Sequence, residues 1–345
     1  MSSIKSILIA CLLFLCGCHS IQPSAFWFRP GPATDAQLQR LTERMPVIPP
    51  SDAWAAEPAQ IERAFRGSLE VRAGQDVEHG QTETARLTVY SRDLDLEFQV
   101  KWKPAKPRLQ GVNNSPRREI AAYVAQKLIL EPDEYVVPTT ALHCLDPGVT
   151  PGLWVGERNI EGVSCVVGAA SLWLSNVRYP LKRIDWDRFL SDPIYAHHAA
   201  NMNIAAILLD HSDTHTRNVL VSQDPKNRRM FLIDNGIAFN SVFRSPFSRD
   251  WNRLRVPALR RPTYERLKAL RRSDLDVLAT VGELRRGDDG RFRPVEAGEA
   301  IDPRRPVRVG DNVIQVGLKQ SEIDAAWQRV LRLRQAVESG KVRLF

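Results

Sequence analysis

Residues 204–239 read IAAILLDHSDTHTRNVLVSQDPKNRRMFLIDNGIAF, and from Asp210 to Arg217 nearly every second side chain can ionise or ligate. An apolar helix end delivers this polar loop. Two strands follow, at 219–222 and 230–233, joined by the turn Asp224-Pro225-Lys226-Asn227. Folding that hairpin brings Asp213 and Asn218, which precede the first strand, to the edge where Asp234 closes the second. Hard oxygen donors gathered on one edge suit a divalent cation bound to phosphate. His211 and His215, flanking Asp213, would instead suit zinc.

The elements that must position these residues begin upstream. Over 68–103 apolar and polar residues alternate as in strands, with Leu69 and Val71, then Leu87 and Val89, then Leu94, Leu96, Phe98 and Val100, and with turns expected at Gly74 and Gly80. The last strand ends in Lys101-Trp102-Lys103-Pro104, and a period of two puts both lysines on one face. A polar loop containing Gly111 follows. Ser115 and Pro116 then cap a helix over 117–129, with Glu119 in its first turn and Ile120, Val124 and Leu128 along one side. Further strands are expected at 135–139 and 163–174, and helices at 186–189, 194–209, 264–271 and 322–337. Beyond Phe239 the chain reads as basic and irregular, from Arg244 to Arg261, with a loop or hairpin tip at 287–294 and no internal repeat.

A length of 345 residues allows one large domain or two lobes, and an ordinary composition leaves function to sites rather than to bias. The net charge of +8 fits an anionic partner or a solvated basic surface. Nucleic acid is not expected, because no reader motif accompanies the charge. Lys5 and the apolar run 7–15 form a targeting segment too short to cross a membrane. It closes on Leu15-Cys16-Gly17-Cys18, which resembles the bacterial lipoprotein signal. That resemblance implies cleavage of residues 1–17, lipid attachment at Cys18 and, with His19 following, an outer-membrane address facing the periplasm. Residues 18–57, rich in Pro and Ala, read as a flexible tether. Cys144 and Cys165 either pair in an oxidising compartment or stay as buried thiols.

In order and spacing, Lys103-Pro104, Arg118-Glu119-Ile120-Ala121-Ala122-Tyr123, Val137-Pro138, the loop Asp213-Thr214-His215-Thr216-Arg217-Asn218 and Leu232-Ile233-Asp234-Asn235-Gly236 resemble the atypical branch of the protein-kinase-like superfamily. That branch contains phosphoinositide kinases, HipA-type kinases and Golgi secretory kinases, and the resemblance spans about residues 67–240. It implies a two-lobed α+β fold, with a small antiparallel β lobe carrying one helix (58–170) and a larger, mainly helical lobe (171–345). It also implies ATP or another nucleotide, Mg²⁺ or Mn²⁺, and a hydroxyl-bearing acceptor. Asp213 would be the catalytic base, Asn218 and Asp234 the metal ligands, Lys103 the phosphate-neutralising cation and Glu119 its ion-pair partner. Lys101 competes with Lys103 for that role. Three features depart from the pattern: no Gly-rich loop precedes Lys103, Thr214 stands where many relatives carry Arg, and the periplasm is not thought to hold a standing ATP pool.

Two rival readings use the same residues. His211-Ser212-Asp213-Thr214-His215 is similar to the zinc motif of polysaccharide deacetylases, but the upstream acidic segment of that family is absent. The other rival is an inactive kinase-like lipoprotein acting as a binding scaffold, with its arginines against anionic envelope polymers.

Overall fold

The computed structural model describes residues 33–76, 84–109, 116–147, 155–178, 181, 183–211, 218–239, 253–298, 301–302 and 304–345. Cys18, the signal segment, Asp213 and His215 lie outside the described residues.

From Ala33 onward the expected tether is folded. Thr34 caps helix α1 (Asp35–Glu43) through reciprocal hydrogen bonds with Gln37, and Leu38 and Leu41 are buried in the core of the large lobe. Two leucines three apart make a narrow apolar stripe, and the Pro/Ala-rich surroundings mask it in the sequence. Each contributes about 2 kcal/mol by leaving water. The chain then crosses to the other lobe, where helix α2 (Pro58–Arg66) buries Ile61, Ala64 and Phe65.

The small lobe is a five-stranded antiparallel sheet built from β1 (Leu69–Asp76), β2 (Ala85–Ser91), β3 (Leu96–Pro104), β4 (Thr140–Leu145) and β5 (Val166–Leu172). Its order is β1-β2-β3-β5-β4. On β3, Phe98, Val100 and Trp102 face the core while Lys101 and Lys103 take the opposite face. Gly168 of β5 lies so close beneath β3 that a Cβ there would come within 2.5 Å of the Lys103 carbonyl, a contact only glycine tolerates. Helix α3 (Pro116–Gln126) packs against β4 and β5. A disulfide joins Cys144 to Cys165 across 21 positions, with Cα atoms 5.4 Å apart.

Two local expectations fail here for physical reasons. Gly74 lies inside β1, opposite Leu87, rather than in a turn. Residues 135–139 form no strand, because the Gln126 side chain accepts the Val136 and Val137 N–H groups and donates to the Val137 carbonyl. A strand's ladder partners are thereby used up by one amide, and the strand begins only at Thr140.

Next come β6 (Val177–Arg178), helix α4 (Trp186–Ser191) and helix α5 (Pro193–Leu209). Asp192 caps α5 by accepting from the Tyr195 N–H, with Pro193 at the first helical position. β7 (Val219–Ser222) and β8 (Met230–Leu232) form the expected hairpin, with β6 beside β7. β9 (Ala258–Leu259), helix α6 (Arg261–Ala269), helix α7 (Gln320–Glu338) and β14 (Arg343–Leu344) complete the large lobe, β14 pairing in parallel with β9.

Between α6 and α7 lies a further antiparallel sheet of order β11-β10-β13-β12, made from β10 (Gly282–Arg286), β11 (Phe292–Val295), β12 (Val307–Val309) and β13 (Val313–Val316). Leu284, Phe292, Ile314 and Val316 pack on Ile120 of α3 and Leu142 of β4. This sheet, of which the sequence reading marks only the hairpin tip near 287–294, belongs with the small lobe's core. No single cut at residue 170 separates the lobes.

Candidate active site

Three distant segments converge because each is anchored locally. Lys103 ends β3, Glu119 stands in the first turn of α3, and Asp234 follows β8. The Lys103 ammonium donates to Glu119 and to Asp234. The Lys103 and Glu119 side chains are 7% and 5% exposed, whereas Asp234 is 38% exposed and faces the opening. The second oxygen of Glu119 accepts the Asn235 backbone N–H at 2.9 Å, so one carboxylate ties the lysine to the Asp234 loop. Asp234 itself has φ +62°, a left-handed conformation that aspartate tolerates at about 1 kcal/mol. The loop is held at its far end by Phe239, whose N–H donates to the Leu209 carbonyl at the end of α5.

These groups perturb one another strongly. Burial alone would lower the Lys103 pKa, but the Asp234 and Glu119 carboxylates override it and hold the ammonium above its ordinary range. Burial would likewise raise Asp234, yet Lys103 and then Lys101 keep it well below the usual carboxylate range. Lys101 is pushed down by burial first and by the neighbouring Lys103 ammonium second. Its Nζ stands 4.0 Å from the Asp234 Oδ2. The closer approach to Asp234 is thus made by Lys103, with Lys101 beside it.

The cluster lines a cavity of about 410 Å³. Leu172, Leu174, Val177, Leu220 and Ile233 line much of it with apolar side chains, and Arg86 adds a cation. The inter-lobe connection that forms one side is pinned by hydrogen bonds from the Leu172 N–H to the Thr139 carbonyl, from Trp173 to Gln99, and from Ser175 to Ala53. A cavity with apolar walls and fixed charges accepts a flat ring at the first and a polyanion at the second. A larger cavity, about 670 Å³, lies beside His143 and the disulfide, away from this ion cluster.

Asn218 is buried, and its carbonyl accepts the Ile233 N–H at 3.0 Å. The hairpin therefore seats it beside Asp234 on one edge, although Asn218 does not line the cavity. A carboxylate and an amide are hard oxygen donors of the type Mg²⁺ and Mn²⁺ take, and such ions commonly draw their remaining ligands from substrate phosphates and water. The residues present fit that kind of centre. Among the described residues no three His, Cys, Asp or Glu side chains converge as a zinc centre would need, and His211 Nε2 lies 3.2 Å from the Ile233 carbonyl.

Sequence reasoning missed the Asn235 N–H, Arg86 and Trp173. Arg86 lies opposite Lys101 in the β2–β3 register, with its guanidinium bonded to Gln99 and stacked 4.6 Å over the Trp173 ring. Register and backbone donors leave no local signal.

No family model matches this chain, and no curated protein matches its sequence. Among solved structures it is similar to the crystal structure of the Golgi casein kinase, at 13% identity over 99% of this chain and 92% of that one, with a TM-score of 0.48. It is similar as well to the Golgi casein kinase with Mn/ADP bound, at 12% identity over 100% and 93% of the two chains, with a TM-score of 0.48.

Proposed function

We propose that this chain is a metal-dependent phosphotransferase of the atypical kinase-like type, moving a nucleotide phosphoryl group to a hydroxyl of a protein, glycan or lipid. The observation that carries the reading is Lys103 held between Glu119 and Asp234 on the wall of a cavity lined largely by apolar side chains. Phosphoryl transfer needs little covalent participation from the protein but demands charge fixed around the transferring group. Glu119 holds Lys103 and, through the Asn235 N–H, the loop that carries Asp234. Asp234 and Asn218 would hold Mg²⁺ or Mn²⁺, which when bound supplies charge neutralisation at the phosphates. The apolar walls would take the nucleotide base.

In this reading Asp213 accepts the proton of the attacking hydroxyl. The hydroxyl oxygen bonds to phosphorus as the bond to the leaving nucleoside phosphate breaks. The lipoprotein signal places the enzyme in the bacterial envelope, anchored through Cys18 and facing the periplasm, so the phosphate donor must be available there.

The test uses the full chain in thermal-shift measurements with ATP, ADP and other nucleotides, each with Mg²⁺ or Mn²⁺. Metal-dependent stabilisation is expected, about 2.7 kcal/mol at a hundredfold excess over Kd. No stabilisation by any pairing would overturn the nucleotide reading. The variant Asp213→Ala should keep that binding and lose transfer, and transfer at the wild-type rate would sink the catalytic assignment.

A further inference from the structure

Helix α3 carries Glu119 into the cleft, and a carboxylate from outside the cleft grips the other end of the helix. The Tyr123 hydroxyl donates to Oε1 of Glu62 on α2, and the Lys127 ammonium pairs with the same oxygen. Glu119, Tyr123 and Lys127 are spaced by four, so they form one row along the helix. A roll or tilt of α3 that draws Glu119 off Lys103 therefore strains the Glu62 contacts as well.

The surroundings favour that grip. Tyr123 is 3% exposed, the Lys127 ammonium lies 4.6 Å over its ring, and Tyr135 meets the ring edge-on at 5.8 Å. Burial would raise the Glu62 pKa, but the hydrogen bonds from Lys127 and Tyr123 override it and hold the carboxyl below its ordinary value. Burial first and the Glu62 hydrogen bond second push the Tyr123 phenol up. Glu62 is also referenced to both lobes. Phe65, on the same helix, meets Phe98 of β3 at 5.7 Å. Upstream of α2 the Ala53 carbonyl accepts the Ser175 N–H of the inter-lobe connection at 3.0 Å, and the Pro49 carbonyl accepts from Asn227 of the β7–β8 turn at 2.9 Å. Helix α1, further upstream, is seated in the large lobe.

We propose that Glu62 is a positioning residue for phosphoryl transfer: through Tyr123 and Lys127 it holds α3 at the angle that keeps Glu119 on Lys103 and on the Asn235 N–H. The role rests on the phosphotransferase reading above. The brace itself can be read without any transfer, at the Asn235 amide.

The experiment uses the full-length wild type, Glu62→Ala, Glu119→Ala and the double variant, each well below its melting temperature. Hydrogen exchange without nucleotide reads the peptide that holds the Asn235 amide, and ATP with Mn²⁺ reads turnover as autophosphorylation and phosphate release. Glu62→Ala should speed exchange in that peptide and lower turnover about tenfold. Glu62→Gln, whose amide oxygen still accepts from the Tyr123 hydroxyl, should recover part of both. In the Glu119→Ala background, Glu62→Ala should add nothing to either readout, because the contact it serves is gone. Equal losses in both backgrounds would mean a merely structural role and overturn the proposal, as would Asn235 exchange that ignores Glu62. A wild type that turns over no ATP, with Asn235 exchange still following Glu62, would keep the brace and overturn the phosphotransferase reading.

Discussion

The first turn of α3 presents three consecutive charged residues to two different clusters. Glu119 joins Lys103 and Asp234 in the cleft. Arg117 and Arg118 turn to Glu322 in the first turn of α7, with contacts of 2.9 and 2.8 Å to one of its oxygens. Both clusters are buried, and both join segments far apart in the chain. Two things separate them: the α7 cluster is uniformly shut away, its side chains 7–9% exposed, while the cleft cluster ends on a 38% exposed aspartate and has a further lysine at 4.0 Å. Buried charge alone is therefore no mark of a site. Charge that opens onto a cavity is the better mark.

The two clusters cooperate through the helix they share. Arg117 and Arg118 fix the start of α3 against α7, and Glu119, one residue on, inherits that placement. Burial would raise the Glu322 pKa, but the Arg117 hydrogen bond leads the interactions that hold it below the ordinary value, as expected of a carboxylate kept charged by its partners.

The largest effect should come from the closed cluster. Glu322→Ala removes the carboxylate that two buried guanidinium groups share and should cost about 3–5 kcal/mol of folding stability, read by urea denaturation, while activity per folded molecule falls much less. Loss of activity without loss of stability would mean that the α7 cluster belongs to the active site after all. The open cluster should respond the other way. Asp234→Asn keeps a residue that tolerates φ +62° and should lower transfer by at least about 10²-fold, with a smaller loss of stability than Glu322→Ala because Lys103 keeps Glu119 as a partner. A variant as active as wild type would erase the distinction.

The smallest effect concerns acid. Two buried histidines outside both clusters make stability sensitive to acid. Burial pulls His143 down from 6.5 to about 4 and His198 to about 3. Between those values and 6.5 the unfolded chain binds protons that the folded chain refuses. Stability is therefore complete above pH 6.5 and falls as pH drops toward 4, by up to about 1.4 kcal/mol per pH unit for each histidine. Melting temperatures across that range should slope less in His143→Gln, and an unchanged slope would assign the acid sensitivity elsewhere.

Much of the cleft is legible in the chain because its residues sit at element ends that carry strong local signals. The lysine follows an alternating strand and precedes a proline, the glutamate follows a capped helix start, and Asp234 closes a hairpin whose strands are apolar and whose turn carries Asp-Pro. The unread parts have no local signal. Helix α1 shows only two core leucines among prolines and alanines. The sheet β10–β13 is written in strands of three to five residues among arginines. Residues 135–139 look like a strand, and lose the part to a glutamine side chain ten residues upstream.

The sequence by itself determined which residue types are present and which elements they terminate, because capping, alternation and turn chemistry act over a few residues. It placed Lys103, Glu119, Asp213, Asn218 and Asp234 as candidates, and favoured Lys103 over Lys101 only through the proline that follows, since a period of two puts both on one face. The tertiary structure gives the two lysines different partners, setting Lys103 against Glu119 and Asp234 with Lys101 4.0 Å from Asp234. It alone paired Cys144 with Cys165, and it alone seated residues from 33 onward and 282–316 in the folded body. Each of these depends on the approach of groups far apart in the chain, and no local pattern encodes such a distance.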